Sequence, residues 1–165
     1  MVFETERLLV RRYTEEDEEN FFRLNSDPEV MRYIRQVKTR EDCKAFLLQN
    51  IASYIVRPLL GRWAMLEKSS GIFVGSFAII PIENTPEIQL GYALLKEHWG
   101  KGYATESTLK GKEYAFNTLK LDHLYAITEA PNIASQKVLL KAGFVQTETK
   151  YSEGKELYYF YCNRK

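Results

Sequence analysis

Residues 99–104 read Trp99-Gly100-Lys101-Gly102-Tyr103-Ala104, and what flanks them constrains the fold more than any other feature. Before them runs Ile88 to Leu95, apolar and strand-like. After them, Tyr103 to Thr118 has helical spacing. A strand that hands over to a helix through two glycines belongs to a mixed α/β architecture. The handover also puts unbonded backbone N–H groups of a helix start where they can converge on an anion. Gly100 and Gly102 let the main chain approach it closely, because no Cβ intervenes, and Lys101 adds charge at the rim. On the glycines alone, a tight turn without a ligand stays open as the alternative.

The rest of the chain fits helices packed on the faces of a sheet. Leu8-Leu9-Val10 reads as a first strand, and Thr14-Glu15-Glu16-Asp17 as a helix start with a capping hydroxyl and acids in the first turn. Asp27-Pro28 ends that helix, and a short helical turn is expected after it. Thr39 caps a second, Arg40 to Val56, with Cys43, Phe46, Leu47, Ile51 and Tyr54 at three- and four-residue steps. Strands are expected at Arg62–Glu67, Ile72–Ile80 and Ile88–Leu95, then Leu124–Thr128. Ala104, Thr108, Gly111 and Ala115 give the helix after residue 102 a narrow face that can lie close on a sheet. Ala134, Val138 and Ala142 form a stripe on a last helix, with Gly143 as its C′ residue and Phe144 packing back. Phe144–Tyr151 and Glu156–Cys162 make a closing hairpin about Glu153-Gly154.

Length and composition narrow the function. At 165 residues and 45% apolar content, one domain over residues 1–165 with a real core is expected. The net charge of +1 gives no general attraction to nucleic acid or membrane. Cys43 and Cys162 are the only cysteines and lie far apart, so neither a disulfide framework nor a metal site is expected. With no signal-peptide core at the N-terminus and no long apolar run, a cytoplasmic protein is expected.

Two phosphate-binding motifs are absent. No Gly-x-x-x-x-Gly-Lys-Ser/Thr run exists, and the position three after Gly102 is Thr105 rather than a small residue. That speaks against nucleotide hydrolysis and hydride transfer. A second polar segment, Asn132-Ile133-Ala134-Ser135, follows the strand ending near Glu129, the end of a sheet where ligands gather. Asn132 also reads as a plain N-cap, with Ser135 idle in the first turn.

Four segments together resemble the GNAT superfamily of acetyl-CoA-dependent N-acetyltransferases, and its Rim-type, ribosomal-protein-alanine branch most. They are Thr5-Glu6-Arg7-Leu8-Leu9-Val10-Arg11, Leu90-Gly91-Tyr92, Trp99 through Glu106, and Asn132-x-x-Ser135 with Lys141-x-Gly143-Phe144. The resemblance implies a mixed, mostly antiparallel twisted sheet of about seven strands flanked by about four helices. It implies that Trp99, Gly100, Lys101, Gly102, Tyr103, Ala104 and Thr105 hold the CoA diphosphate. The strand through Tyr92 and Leu94 would pair with the pantetheine arm, with Asn132 and Ser135 at the thioester end. Ser135 is implied to protonate the departing thiolate, and a backbone N–H near Leu94 to stabilise the oxyanion.

The chain departs from the wider family pattern at two places. Gln89 stands where many relatives carry a glutamate base, and Leu139 where many carry a tyrosine acid. Glu87, two residues back on the same strand face, is the substitute base to test. An α-amine has a pKa near 8 and a lysine amine one near 10.4, so deprotonation at pH 7 costs roughly 1 and about 4.6 kcal/mol respectively. A site without a strong base therefore suits the α-amine of a protein or peptide. A small-molecule amine such as a polyamine or antibiotic, or a CoA-binding module without turnover, stays as the alternative. The segment Glu15–Val56 is expected over the acceptor groove, and a monomer or homodimer is expected.

Overall fold

The computed structural model describes all residues from Met1 to Lys165. Its centre is one eight-stranded sheet in the order β1-β2-β3-β4-β5-β6-β8-β7. The strands are β1 (Phe3–Glu4), β2 (Leu8–Arg12), β3 (Gly61–Glu67), β4 (Phe73–Pro81), β5 (Ile88–Leu94), β6 (His123–Glu129), β7 (Val145–Ser152) and β8 (Lys155–Asn163). All neighbours are antiparallel except β5 and β6. Five α-helices cover it: α1 (Glu18–Ser26), α2 (Pro28–Met31), α3 (Arg40–Val56), α4 (Tyr103–Asn117) and α5 (Ile133–Lys141). The fold class is the expected one. The extra strand is β1, whose two residues are too few to leave a periodic signal; the fifth helix, α2, is the single turn expected after Asp27-Pro28, ending at Met31.

Two apolar layers follow from strand alternation. On β3, Trp63 and Met65 face one side and Ala64 the other. The larger layer joins Trp63, Met65, Phe77, Ile79, Leu90 and Leu124 to α4 and α5. The smaller joins Ala64, Phe73 and Ala93 to Tyr13, Phe21, Leu24 and Leu47 of the helical segment at 13–56. The narrow face of α4 is used as expected: Thr108 and Ala115 are fully buried, and a Cβ on Gly111 would run into the ring of Phe77. The β7–β8 hairpin turns through Glu153 and Gly154 at φ 51° and 76°, the left-handed pair of a two-residue type I′ turn.

Thr39 and Asn132 are the expected caps; the Thr14 hydroxyl donates to Asp17 Oδ2 at 3.5 Å instead of capping α1, whose N-cap is Asp17. Thr39 Oγ accepts from Asp42 N at 3.1 Å, and Asn132 Oδ1 accepts from Ser135 N at 3.3 Å. At the end of α5, Phe144 N donates to Leu139 O at 3.0 Å and Gly143 sits at φ 91°, a Schellman closure with Phe144 buried.

One irregularity positions the site. β5 and β6 share a single register pair, Gln89 with Tyr125. Beyond it, the β6-facing edge of β5 from Leu90 to Leu94 has no partner strand, while its other edge stays paired with β4 as far as Leu94. The sheet opens there into a wedge.

Candidate active site

Two cavities meet at the wedge. The first, about 370 Å³, is lined by the inner residues of β5, the end of β6 and the segment Tyr33–Arg35. The second, about 510 Å³, runs along β5 to the loop before α4 and is lined by Tyr92, Ala93, Leu94 and most of residues 98–105. Tyr33, Ile34, Tyr92, Ala93, Asn132 and Ser135 line both. The helical segment at 15–56 thus contributes a wall, through Leu24, Asn25, Tyr33, Ile34 and Arg35.

The loop before α4 carries two left-handed glycines and a run of backbone N–H groups without partners. Gly100 and Gly102 have φ 73° and 83°, the left-handed region that costs any residue with a Cβ about 1–2 kcal/mol. They flank Lys101 and lead directly into the first turn of α4. Gly102 is the N-cap of α4 and offers no side chain. The first helical bond is Glu106 N to Gly102 O at 3.0 Å. The N–H groups of Gly100, Lys101, Gly102, Tyr103, Ala104 and Thr105 have no acceptor within the protein.

A carboxylate in the first turn of α4 would repel a bound anion, and Glu106 is neutralised elsewhere. It accepts from Thr5 Oγ, from Arg7 N at 3.1 Å and from Arg7 Nε at 2.8 Å. Burial works against its charge, but these bonds outweigh burial and hold the carboxyl below the usual range. The N-terminal Thr5-Glu6-Arg7 segment and Glu106 are therefore one structural unit. Arg7 also stacks on the Tyr103 ring at 4.6 Å. His98, buried beside the loop, has its pKa lowered first by burial and next by Lys101, whose Nζ lies 3.3 Å from Nδ1. Trp99 donates its indole N–H to Leu94 O at 2.8 Å, which ties the loop to the end of β5.

At the junction, the Tyr92 hydroxyl donates to Ser135 Oγ at 3.2 Å. Burial pushes the Tyr92 pKa up, and the bond to Ser135 only partly offsets it. The phenol therefore stays a donor at neutral pH, which leaves the Ser135 hydroxyl proton free for a group in the cavity. Asn132 spends its oxygen on the N-cap, and its amide nitrogen has no partner.

The structure brings together Tyr92, Leu94, Trp99, Gly100, Gly102, Tyr103, Ala104, Thr105, Asn132 and Ser135 around the second cavity, with Lys101 at its edge. It does not bring Glu87 to either cavity. That carboxylate lies before the start of β5 and is held by His123 Nε2. Gln89 lines the first cavity instead, and so does Leu139, fully buried. Among the aromatic side chains nearby, Trp63 belongs to the core and Tyr33 lines both cavities.

Sequence reasoning missed three groups. Glu129 is the only carboxylate lining the first cavity, 13% exposed at its side chain and bound by Lys155 at 3.1 Å. Thr128 lines the same cavity with a buried hydroxyl that has no partner. Arg62 enters from β3. No local pattern marks them; only strand register converges them.

The profile described as Acetyltransferase (GNAT) domain matches residues 7–145. An uncharacterised N-acetyltransferase, p20, of Bacillus licheniformis is 32% identical over 143 residues, 85% of this chain and 80% of that protein. A GNAT-family acetyltransferase from Bacillus anthracis superposes with a TM-score of 0.86 at 24% identity, covering 97% of this chain and 96% of that one. RimL, a ribosomal L7/L12 α-N-protein acetyltransferase solved with coenzyme A, superposes at 0.82 and 14% identity, covering 98% and 97%. The wedge between β5 and β6, the free N–H groups at the start of α4 and the sequence match together show that the chain belongs to the GNAT family of N-acetyltransferases.

Proposed function

We propose that this chain transfers an acetyl group from acetyl-CoA to the α-amine of a protein or peptide, as the Rim-type branch of the family does. The observation that carries the reading is the run of unbonded N–H groups from Gly100 to Thr105, at the mouth of a cavity that ends at Tyr92 and Ser135. Residues 100–105 suit a diphosphate by hydrogen-bond count and by the positive end of α4. The free edge of β5 suits an extended amide-bearing arm, which would pair with it as a strand does. When bound, acetyl-CoA supplies an activated acetyl thioester.

The residues of the wedge then divide the remaining work. Tyr92, Asn132 and the end of β5 orient the acyl end. Ser135 donates its proton to the sulfur as the C–S bond breaks, and Tyr92 stabilises the serine oxygen left behind. Glu129, rather than Glu87, is the carboxylate placed to receive the amine proton. A similar fold serves a spermidine N-acetyltransferase of Vibrio cholerae, solved with CoA and spermine, so fold alone does not choose the acceptor.

The test is thiol release from acetyl-CoA over N-terminal peptides, lysine side-chain analogues, polyamines and free amino acids. Turnover with α-amines at neutral pH supports the reading. CoA binding by calorimetry without thiol release for any amine would reduce the chain to a binding module.

A further inference from the structure

Two cations line the acceptor-side cavity without a counter-ion. Arg35, in the segment after α2, and Arg62, on β3, both contribute to its wall. Elsewhere Arg7, Arg11, Arg23, Arg40 and Arg164 each hold a carboxylate. Arg35 instead donates to Asn25 Oδ1 at 2.7 Å, and Arg62 donates to Asn50 Oδ1 at 3.1 Å. Neutral amides orient a guanidinium but do not neutralise it. Each guanidinium has five N–H donors and most of them find no acceptor in the protein.

The two cations share one support. Both stack on Phe46 of α3, at 5.3 Å for Arg35 and 4.9 Å for Arg62. That contact offsets some of the cost of holding them together. Burial, and next the charge of Arg62, lower the pKa of Arg35 to about 10. Burial likewise lowers that of Arg62. A guanidinium keeps its charge in proteins, so the fold holds two unneutralised cations in a cavity, an arrangement costly without an anionic guest.

The floor leads from these cations to the reacting end. Arg62 pairs in register with Ala78, and Ala78 with Gly91. Cross-strand partners share a face, so Arg62, Ala78 and Gly91 form one row that spans two strand spacings, about 10 Å. The two small residues leave the row open, and a Cβ at Gly91 would meet nothing. At the far side stand Tyr92, Glu129 and the unpartnered hydroxyl of Thr128.

We propose that Arg35 and Arg62 form an anion subsite for the acceptor, so that the amine acetylated by this chain carries a carboxylate. The inference rests on the acetyl-transfer reading above and narrows its substrate. Glu129 faces the amine end and the two arginines the carboxylate end. Polyamines and aminoglycosides, which bring only positive charge, are disfavoured by the same pair. The carboxylate belongs either to a free amino acid or to an acidic side chain near a peptide N-terminus.

The experiment compares matched acceptors in the thiol-release assay: free amino acids against their carboxamides, and Ala-Asp and Ala-Glu N-terminal peptides against Ala-Asn and Ala-Gln. The expected kcat/KM preference for at least one carboxylate set is about 10–100-fold, the range for hydrogen bonds to a charged group. The set that shows it identifies the source. In Arg62→Gln and Arg35→Gln the preference collapses through KM, whereas in Arg57→Gln, an exposed arginine outside the cavity, it persists. Thermal melts check folding, and loss of an unpaired cation is not expected to lower Tm. A readout without turnover separates this inference from the acetyl-transfer reading. CoA-saturated protein is titrated with N-acetyl amino acids, N-acetylated acidic dipeptides and the corresponding amides. Tighter binding of the carboxylates, lost in Arg62→Gln, supports the subsite even if no amine turns over. Equal binding of carboxylates and amides, or no binding of either, overturns it even if acetyl transfer is seen.

Discussion

Ser135 holds two bonds that define its part: its backbone N–H donates to Asn132 Oδ1, and its hydroxyl accepts from Tyr92. The first is a helix cap and the second points to chemistry. If the hydroxyl proton serves the departing thiolate, Ser135→Ala lowers kcat by about 10²-fold, the low end for a positioned acid. CoA affinity then stays nearly constant in calorimetry. Tyr92→Phe keeps the ring and removes only the bond to Ser135, so a smaller fall in kcat is expected, about tenfold for one lost bond to a charged oxygen. An unchanged kcat in Ser135→Ala would return the residue to a capping role. The sequence pattern pointed to Asn132 and Ser135 but not to the Tyr92 contact, because residues 43 positions apart meet only through the β5–α5 packing.

At the level of elements, α4 does two jobs with opposite faces of its geometry. Its first turn exposes N–H groups, and Gly102 makes that possible at φ 83°. Gly102→Ala is expected to cost about 1–2 kcal/mol in the loop conformation. That weakens CoA binding by roughly tenfold, read by calorimetry, with a smaller change in Tm. Further along, Gly111 lets the helix touch the sheet at Phe77, itself fully buried. Gly111→Ala would gain helix propensity but force an overlap with an immobile ring. A net loss of about 1–3 kcal/mol in urea unfolding is expected. Stability unchanged or raised would mean that α4 can shift away from β4. The small-residue spacing of α4 was legible in sequence, because helical period is a local property. The short strand β1 was not, because two residues cannot show a period.

The whole molecule should respond to acid through its paired carboxylates. Asp17 is buried and bound in a fork by Arg11 at 2.8 and 2.9 Å. Burial opposes its charge, yet Arg11 and the Thr14 backbone hold its pKa below the ordinary value. Glu106 is lowered in the same sense, with Thr5 and Arg7 outweighing burial. A carboxyl whose folded pKa is depressed contributes stability above its unfolded value near 4, and that contribution is lost as pH falls through the folded value. Tm is therefore expected to hold from pH 7 to about 5 and to drop below about 4. Asp17→Asn should cost about 1.5–3 kcal/mol at neutral pH and flatten the acid limb. A melting series from pH 3 to 7 on both proteins reads each effect. Periodicity, caps and glycine spacing determined which segments became helices and strands and where the glycine loop before α4 would form, since each acts over a few neighbouring residues. Only the tertiary structure decided that β5 and β6 part after Gln89, that Glu87 turns to His123 while Glu129 reaches the cavity, and that Arg35 and Arg62 share Phe46. Those outcomes depend on strand order and register between residues far apart in the chain, which no local pattern encodes.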